Sequence, residues 1–115
     1  MGKDDKVYLR HILDAASLIE EYLSGIGETN FLKTTLVQDG VIRQLEIIGE
    51  ASNHVSKHLQ DTYPEIPWAD IIGMRNKLIH DYFGVDLEKV WMTAQEDIPY
   101  LKESVLGLLR DFGIG

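Results

Sequence analysis

Apolar residues return every three or four positions through most of this chain, and no segment alternates convincingly every second residue. That period restricts the fold to packed helices. Tyr8, Ile12, Ala15, Ile19, Leu23 and Ile26 form one stripe, on a helix that begins near Asp4 or Asp5 and stops at Gly25 or Gly27. Val41, Leu45, Ile48, Ser52, Val55 and Leu59 form another, on a longer helix that Asn30 can cap. Ile42, Ile47 and Ala51 lie off that line, so the apolar surface is wider than one core face needs, and a dimer contact would use the excess. Gly40 and Gly49 on the same helix either admit a close neighbour or only weaken it. Tyr63-Pro64-Glu65-Ile66-Pro67 ends this helix, and Trp68, Ile71 and Ile72 anchor a short one that Gly73 can kink and Gly84 can stop. Asp86 caps the last helix, whose stripe is Leu87, Val90, Ala94, Ile98, Leu101, Val105, Leu108 and Phe112. Pro99 interrupts it, and its ring predicts a kink at Gln95, four residues back. The expected fold is all-α, an up-and-down bundle of four main helices plus one short helix, in a single domain over residues 1–115.

With 11 Lys and Arg against 19 Asp and Glu, the net charge is −8. Such a balance opposes broad electrostatic binding of nucleic acid, so any RNA or DNA site must be a local positive spot. It suits a basic protein partner or plain solubility equally well. The absence of Cys removes disulfides and thiolate metal sites. No apolar run approaches the ~20 residues of a membrane span, and no leader's apolar core opens the chain; the expectation is a cytoplasmic protein.

Chemistry concentrates between Gly73 and Phe83, in Arg75-Asn76-Lys77-Leu78-Ile79-His80-Asp81-Tyr82. On a helix Asn76 and His80 stack one turn apart, and Arg75 nearly aligns with Tyr82. Arg75 and His80 sit about 140° from one another, so one helix cannot easily aim both at one atom, whereas a two-fold copy could complete the site. Arg75 offers a planar fork for a phosphodiester, or an ordinary surface ion pair with Asp70 or Glu96. His80, near a helix C-terminus, suits proton transfer near neutral pH, or simply caps the last carbonyls. Asn76 can set the His80 tautomer or stay solvated, and Tyr82 can bring its hydroxyl beside Arg75 or serve as a core aromatic with a wet tip. His54 and His58, with Glu50 one turn earlier, have a metal-binding spacing. No Glu follows the first His and no third ligand comes downstream, so the group reads as a solvated face and no metal is expected. Arg43, Glu46 and Glu50 either line the central site or pair along their own helix.

These residues resemble the R-x4-H-x-Y motif of HepT-type toxins in the HEPN ribonuclease superfamily. The likeness extends to Tyr8-Leu9-Arg10-His11-Ile12-Leu13-Asp14-Ala15, to Val41-Ile42-Arg43-Gln44-Leu45-Glu46-Ile47-Ile48-Gly49-Glu50-Ala51, to Tyr63-Pro64-Glu65-Ile66-Pro67-Trp68 and to Gly84-Val85-Asp86-Leu87-Glu88-Lys89-Val90-Trp91. The resemblance implies a HEPN-like helical bundle that forms a homodimer with the two motifs facing across a cleft. It implies a metal-independent endoribonuclease with no cofactor, the toxin of a toxin–antitoxin pair. Arg75, His80 and Asn76 would be catalytic, with Arg43 and Lys77 lining the site. The implied partner is a minimal nucleotidyltransferase antitoxin that transfers AMP from ATP to the motif tyrosine, here Tyr82. The rival reading is a non-catalytic helical module that grips a nucleotide or a protein, and the acidic charge is its best argument.

Overall fold

The computed structural model describes residues 3–80 and 84–111. Among these there is no strand. The helices run α1 (Lys3–Leu23), α2 (Glu28–Phe31), α3 (Thr35–His54), α4 (Lys57–Thr62), α5 (Trp68–His80), α6 (Leu87–Met92), a π turn (Thr93–Asp97) and α7 (Ile98–Asp111). The last three follow one another without a break, so four long rods make the body. Two short helices that the periodicity does not predict, α2 and α4, accompany them, while the short helix expected at Trp68 is α5, 13 residues long.

Both short helices arise from breaks that apolar spacing cannot show. The stripe from Val41 to Leu59 is buried along its whole length, yet its helix ends at His54. The corner is held from α1. Asp5, only 5% exposed, accepts hydrogen bonds from the Ser56 N–H and from Ser56 Oγ, each at 2.8 Å. Ser56 Oγ in turn accepts from the Leu59 N–H at 3.2 Å, which is the N-cap of α4. A buried carboxylate is costly unless its lone pairs are used, so the corner and Asp5 need each other. Asn30 does not cap the long helix as expected. It lies inside α2, and the N-cap of α3 is Thr34, whose Oγ1 donates to the Asn30 carbonyl at 2.7 Å.

The kink predicted at Gln95 takes the form of the π turn. Pro99 has no N–H, and its ring crowds the Gln95 carbonyl; widening the turn moves that carbonyl aside. The Ile98 N–H accordingly reaches back five residues to the Thr93 carbonyl. Gly73, by contrast, stays within α5.

α3 packs against both α1 and α5, and α7 closes on α1. The wide apolar face of α3 is therefore used within the chain, and its width needs no second copy to explain it. Leu9, Ile12, Ile19, Phe31, Val41, Leu45, Ile48 and Val105 are wholly inaccessible. Burial of each such side chain contributes about 1.5–3 kcal/mol. α5 packs on α3 mainly through half-buried side chains. Trp68 is buried at its start, with the indole Nε1 donating to the Tyr63 carbonyl at 3.1 Å, while Ile71, Met74 and Leu78 are half-buried. It is also the helix that carries the motif.

Candidate functional site

The site begins with a missing side chain. Gly49 is buried on α3 where α5 crosses. A Cβ there would stand 2.8 Å from Arg75 Cγ, 3.2 Å from the Ile71 carbonyl oxygen, and nearer still to Arg75 Cβ. Only glycine lets the Arg75 stem lie directly on the backbone of α3. Of the two roles open to Gly49, close approach is the one observed. Gly40 is a milder case, since its Cβ would meet the Tyr22 ring at 3.3 Å.

That crossing delivers Arg75 to the next residue of α3. Arg75 Nη2 lies 2.7 Å from Glu50 Oε2, with the two side chains 31% and 46% exposed. Arg75 Nη1 donates to Asn76 Oδ1 at 2.9 Å. Arg75 Nε is buried and has no hydrogen-bond partner among the described residues. The other Glu50 oxygen, Oε1, is 3.0 Å from His54 Nε2. The His54 ring stacks on Tyr8 of α1, with centroids 5.0 Å apart and planes at 17°. Tyr8 meets His11 edge-on at 6.1 Å. Three helices thus converge behind one guanidinium.

Several expectations change here. The carboxylate facing Arg75 is Glu50, not Asp70 or Glu96. Asn76 hydrogen-bonds Arg75, and no bond joins it to His80 among the described residues. α3 ends at His54 while His58 belongs to α4, so their helical i, i+4 spacing is interrupted. His80 is exposed in the last turn of α5, about 140° around the helix and about 7.5 Å along it from Arg75. On a regular helix the two groups therefore start from different faces. Arg43 is exposed two turns before Glu50 on the same face of α3. Lys77 lies elsewhere, lining a cleft of about 490 Å³ with Met74, Leu78, Val85 and Lys89. Arg75, Asn76 and His80 are not among the residues of that cleft. The Tyr82 assignment falls outside the described residues. Glu50 is the site residue to which sequence spacing assigns no definite role. Its signal was the Gly49-Glu50 pair one turn before His54.

The family model described as ribonuclease HepT-like matches residues 12–106. This chain belongs to the ribonuclease HepT-like family. Among the relatives of this HepT-like chain is a Thermococcus cleftensis protein named "Probable ribonuclease HepT", 48% identical over 102 residues, covering 89% of this chain and 93% of the relative. A Caldanaerobacter subterraneus protein named "Putative RNase" is 38% identical over 108 residues, or 94% of this chain and 96% of that one. A Methanocaldococcus jannaschii protein named "Gamma-glutamylcyclotransferase and putative RNase" is 44% identical over 111 residues, which is 96% of this chain but 50% of the relative. The HepT-like chain thus spans half of that protein and nearly all of the other two. No solved structure matches it.

Proposed function

We propose that this chain is a HepT-type endoribonuclease, a toxin that cuts RNA without a metal at a site completed by a second copy of itself. The observation that carries the reading is Arg75, seated against Gly49 and held by Glu50 and Asn76 on the helix that bears His80. Its two terminal nitrogens each spend one N–H on those neighbours, which leaves one N–H apiece for the oxygens of a phosphodiester. The other support is the family, together with relatives named for ribonuclease activity.

In the reaction, His80 takes the proton of a ribose 2′-OH, and O2′ forms a bond to the adjacent phosphorus. Arg75 stabilises the charge that builds on the non-bridging oxygens. The bond from phosphorus to O5′ breaks, and the partner's His80 supplies the proton to the leaving oxygen. The products are a 2′,3′-cyclic phosphate and a 5′-hydroxyl. The test uses purified protein with chelator present. RNA is cut, an all-deoxy copy of the same oligonucleotide is not, and Arg75→Ala lowers kcat about 10²–10³-fold. Cleavage of the deoxy strand, or Arg75→Ala protein that cuts at full rate, rejects the scheme. Folded wild-type protein that never cuts supports the non-catalytic binding module instead.

The antitoxin in this reading is a minimal nucleotidyltransferase that places AMP on Tyr82. The added phosphate would compete with RNA for Arg75, and the nucleoside would fill the approach to it. Tyr82→Phe protein is expected to keep its cleavage activity and to lose sensitivity to nucleotidyltransferase plus ATP. Silencing of the Phe variant by modification would move the acceptor elsewhere.

A further inference from the structure

The carboxylate behind Arg75 has three features that an incidental surface pair lacks. Glu50 divides its two oxygens between different groups, Arg75 Nη2 at 2.7 Å and His54 Nε2 at 3.0 Å. The far group is itself fixed, because the His54 ring lies flat on Tyr8. The near group is committed as well, because Gly49 brings the Arg75 stem onto α3, where Nε is buried with no partner among the described residues. Leaving a buried N–H unpaired is costly, because its hydration is lost and nothing replaces it. A guanidinium free to choose its place would turn that N–H to solvent. The pair is thus geometric in purpose: ion pairs this exposed to solvent stabilise a fold too little to justify the arrangement.

We infer that Glu50 is a positioning residue for Arg75, with His54 and Tyr8 as its backing, and that it makes no contact with RNA. This rests on the reading of Arg75 as the phosphate-binding cation. Glu50 fixes the rotation of the guanidinium about its long side chain, so the open N–H groups stay where a phosphodiester must arrive. Lysine at position 75 could not be set in this way, since an ammonium has no fork to orient. A carboxylate beside a phosphate-binding arginine could instead act as a competing counter-ion, and the two roles predict opposite results on removal. As a competitor, Glu50 would hold RNA off, and its loss would tighten binding. As a positioner, its loss frees Arg75 to wander, and misplacement of about 1 Å at a reacting group costs about 10²-fold in rate.

The experiment compares wild type, Glu50→Gln and Glu50→Ala by two readouts. The first is the ¹H–¹⁵N signal of Arg75 Nε, which reports the order of the guanidinium whether or not RNA is cut. The second is the split between kcat and KM for a short RNA, with circular dichroism confirming the helical fold of each variant. Glu50→Ala is expected to shift and broaden the Arg75 signal and to lower kcat about 10²-fold with a smaller change in KM. Glu50→Gln, which keeps an acceptor oxygen, is expected to retain the signal and to stay within about tenfold of wild-type kcat. An unmoved Arg75 signal in Glu50→Ala, or a lower KM with kcat preserved, overturns the inference. If wild type does not cut RNA, the ribonuclease reading fails by itself, and the Arg75 signal still decides whether Glu50 holds the guanidinium.

Discussion

Dimers that carry a single His80→Ala subunit are expected to be as inactive as dimers that carry two. The expectation follows from the geometry of α5. Arg75 and His80 are five residues apart on one regular helix, and His80 faces outward in its last turn. The proposed reaction moves one proton off the 2′-oxygen and another onto the 5′-oxygen, on opposite sides of the phosphorus. One imidazole serves one side, and in the proposed scheme the other comes from the second copy. Loss of either general acid or general base costs about 10²–10⁴-fold. When wild-type and His80→Ala protein are mixed in equal amounts and allowed to exchange subunits, about one quarter of the dimers retain both imidazoles. Initial cleavage rates should therefore fall as the square of the wild-type fraction, with size exclusion confirming that the dimers persist. A linear fall would show that each subunit supplies its own acid and base.

Gly49→Ala should damage the protein twice, in stability and in cleavage. Replacing a mid-helix glycine by alanine ordinarily stabilises a helix by about 0.5–1 kcal/mol. Here the new methyl would land on the Cβ and Cγ of Arg75 and close to the Ile71 carbonyl. A Cβ is fixed to its backbone, so no rotamer relieves the overlap, and α5 must lift from α3. Overpacking of this kind costs about 1–3 kcal/mol, which exceeds the propensity gain. We expect a melting temperature lower by about 4–8 °C and a cleavage rate reduced at least as much as by Glu50→Ala. Gly40→Ala provides the internal comparison. Its neighbour is the edge of the Tyr22 ring, which can swing aside, so its melting temperature should stay near that of wild type. Equal behaviour of the two variants in a thermal melt would remove Gly49 from the account of the site.

The contrast between these glycines shows where a sequence stops being informative. Both break the helix propensity of the same segment, and nothing local tells them apart. The three buried stripes could be read in advance because burial on a helix leaves a period of about 3.6, and Val41, Leu45, Ile48 and Ser52 are as hidden as the spacing requires. The disturbance at Pro99 was legible too, because a missing N–H and a bulky ring act on the carbonyl four residues back wherever they occur. The length of α3 was not. Val55 and Leu59 continue its pattern, but Asp5 of α1 captures Ser56 and turns the chain, and that hydrogen bond joins residues 51 apart.

The same division holds for the site. The order of Arg75, Asn76 and His80 along one helix is a property of the chain itself, because spacing alone sets their angles about the axis. That Arg75 faces Glu50, that Asn76 turns to Arg75 instead of His80, and that His54 and Tyr8 stand behind them came from the packing of α5 on α3. Helical periodicity states which side of a helix is apolar. It carries no information about which neighbour that side will meet, because contacts between distant segments are chosen by shape and charge only once the helices have come together.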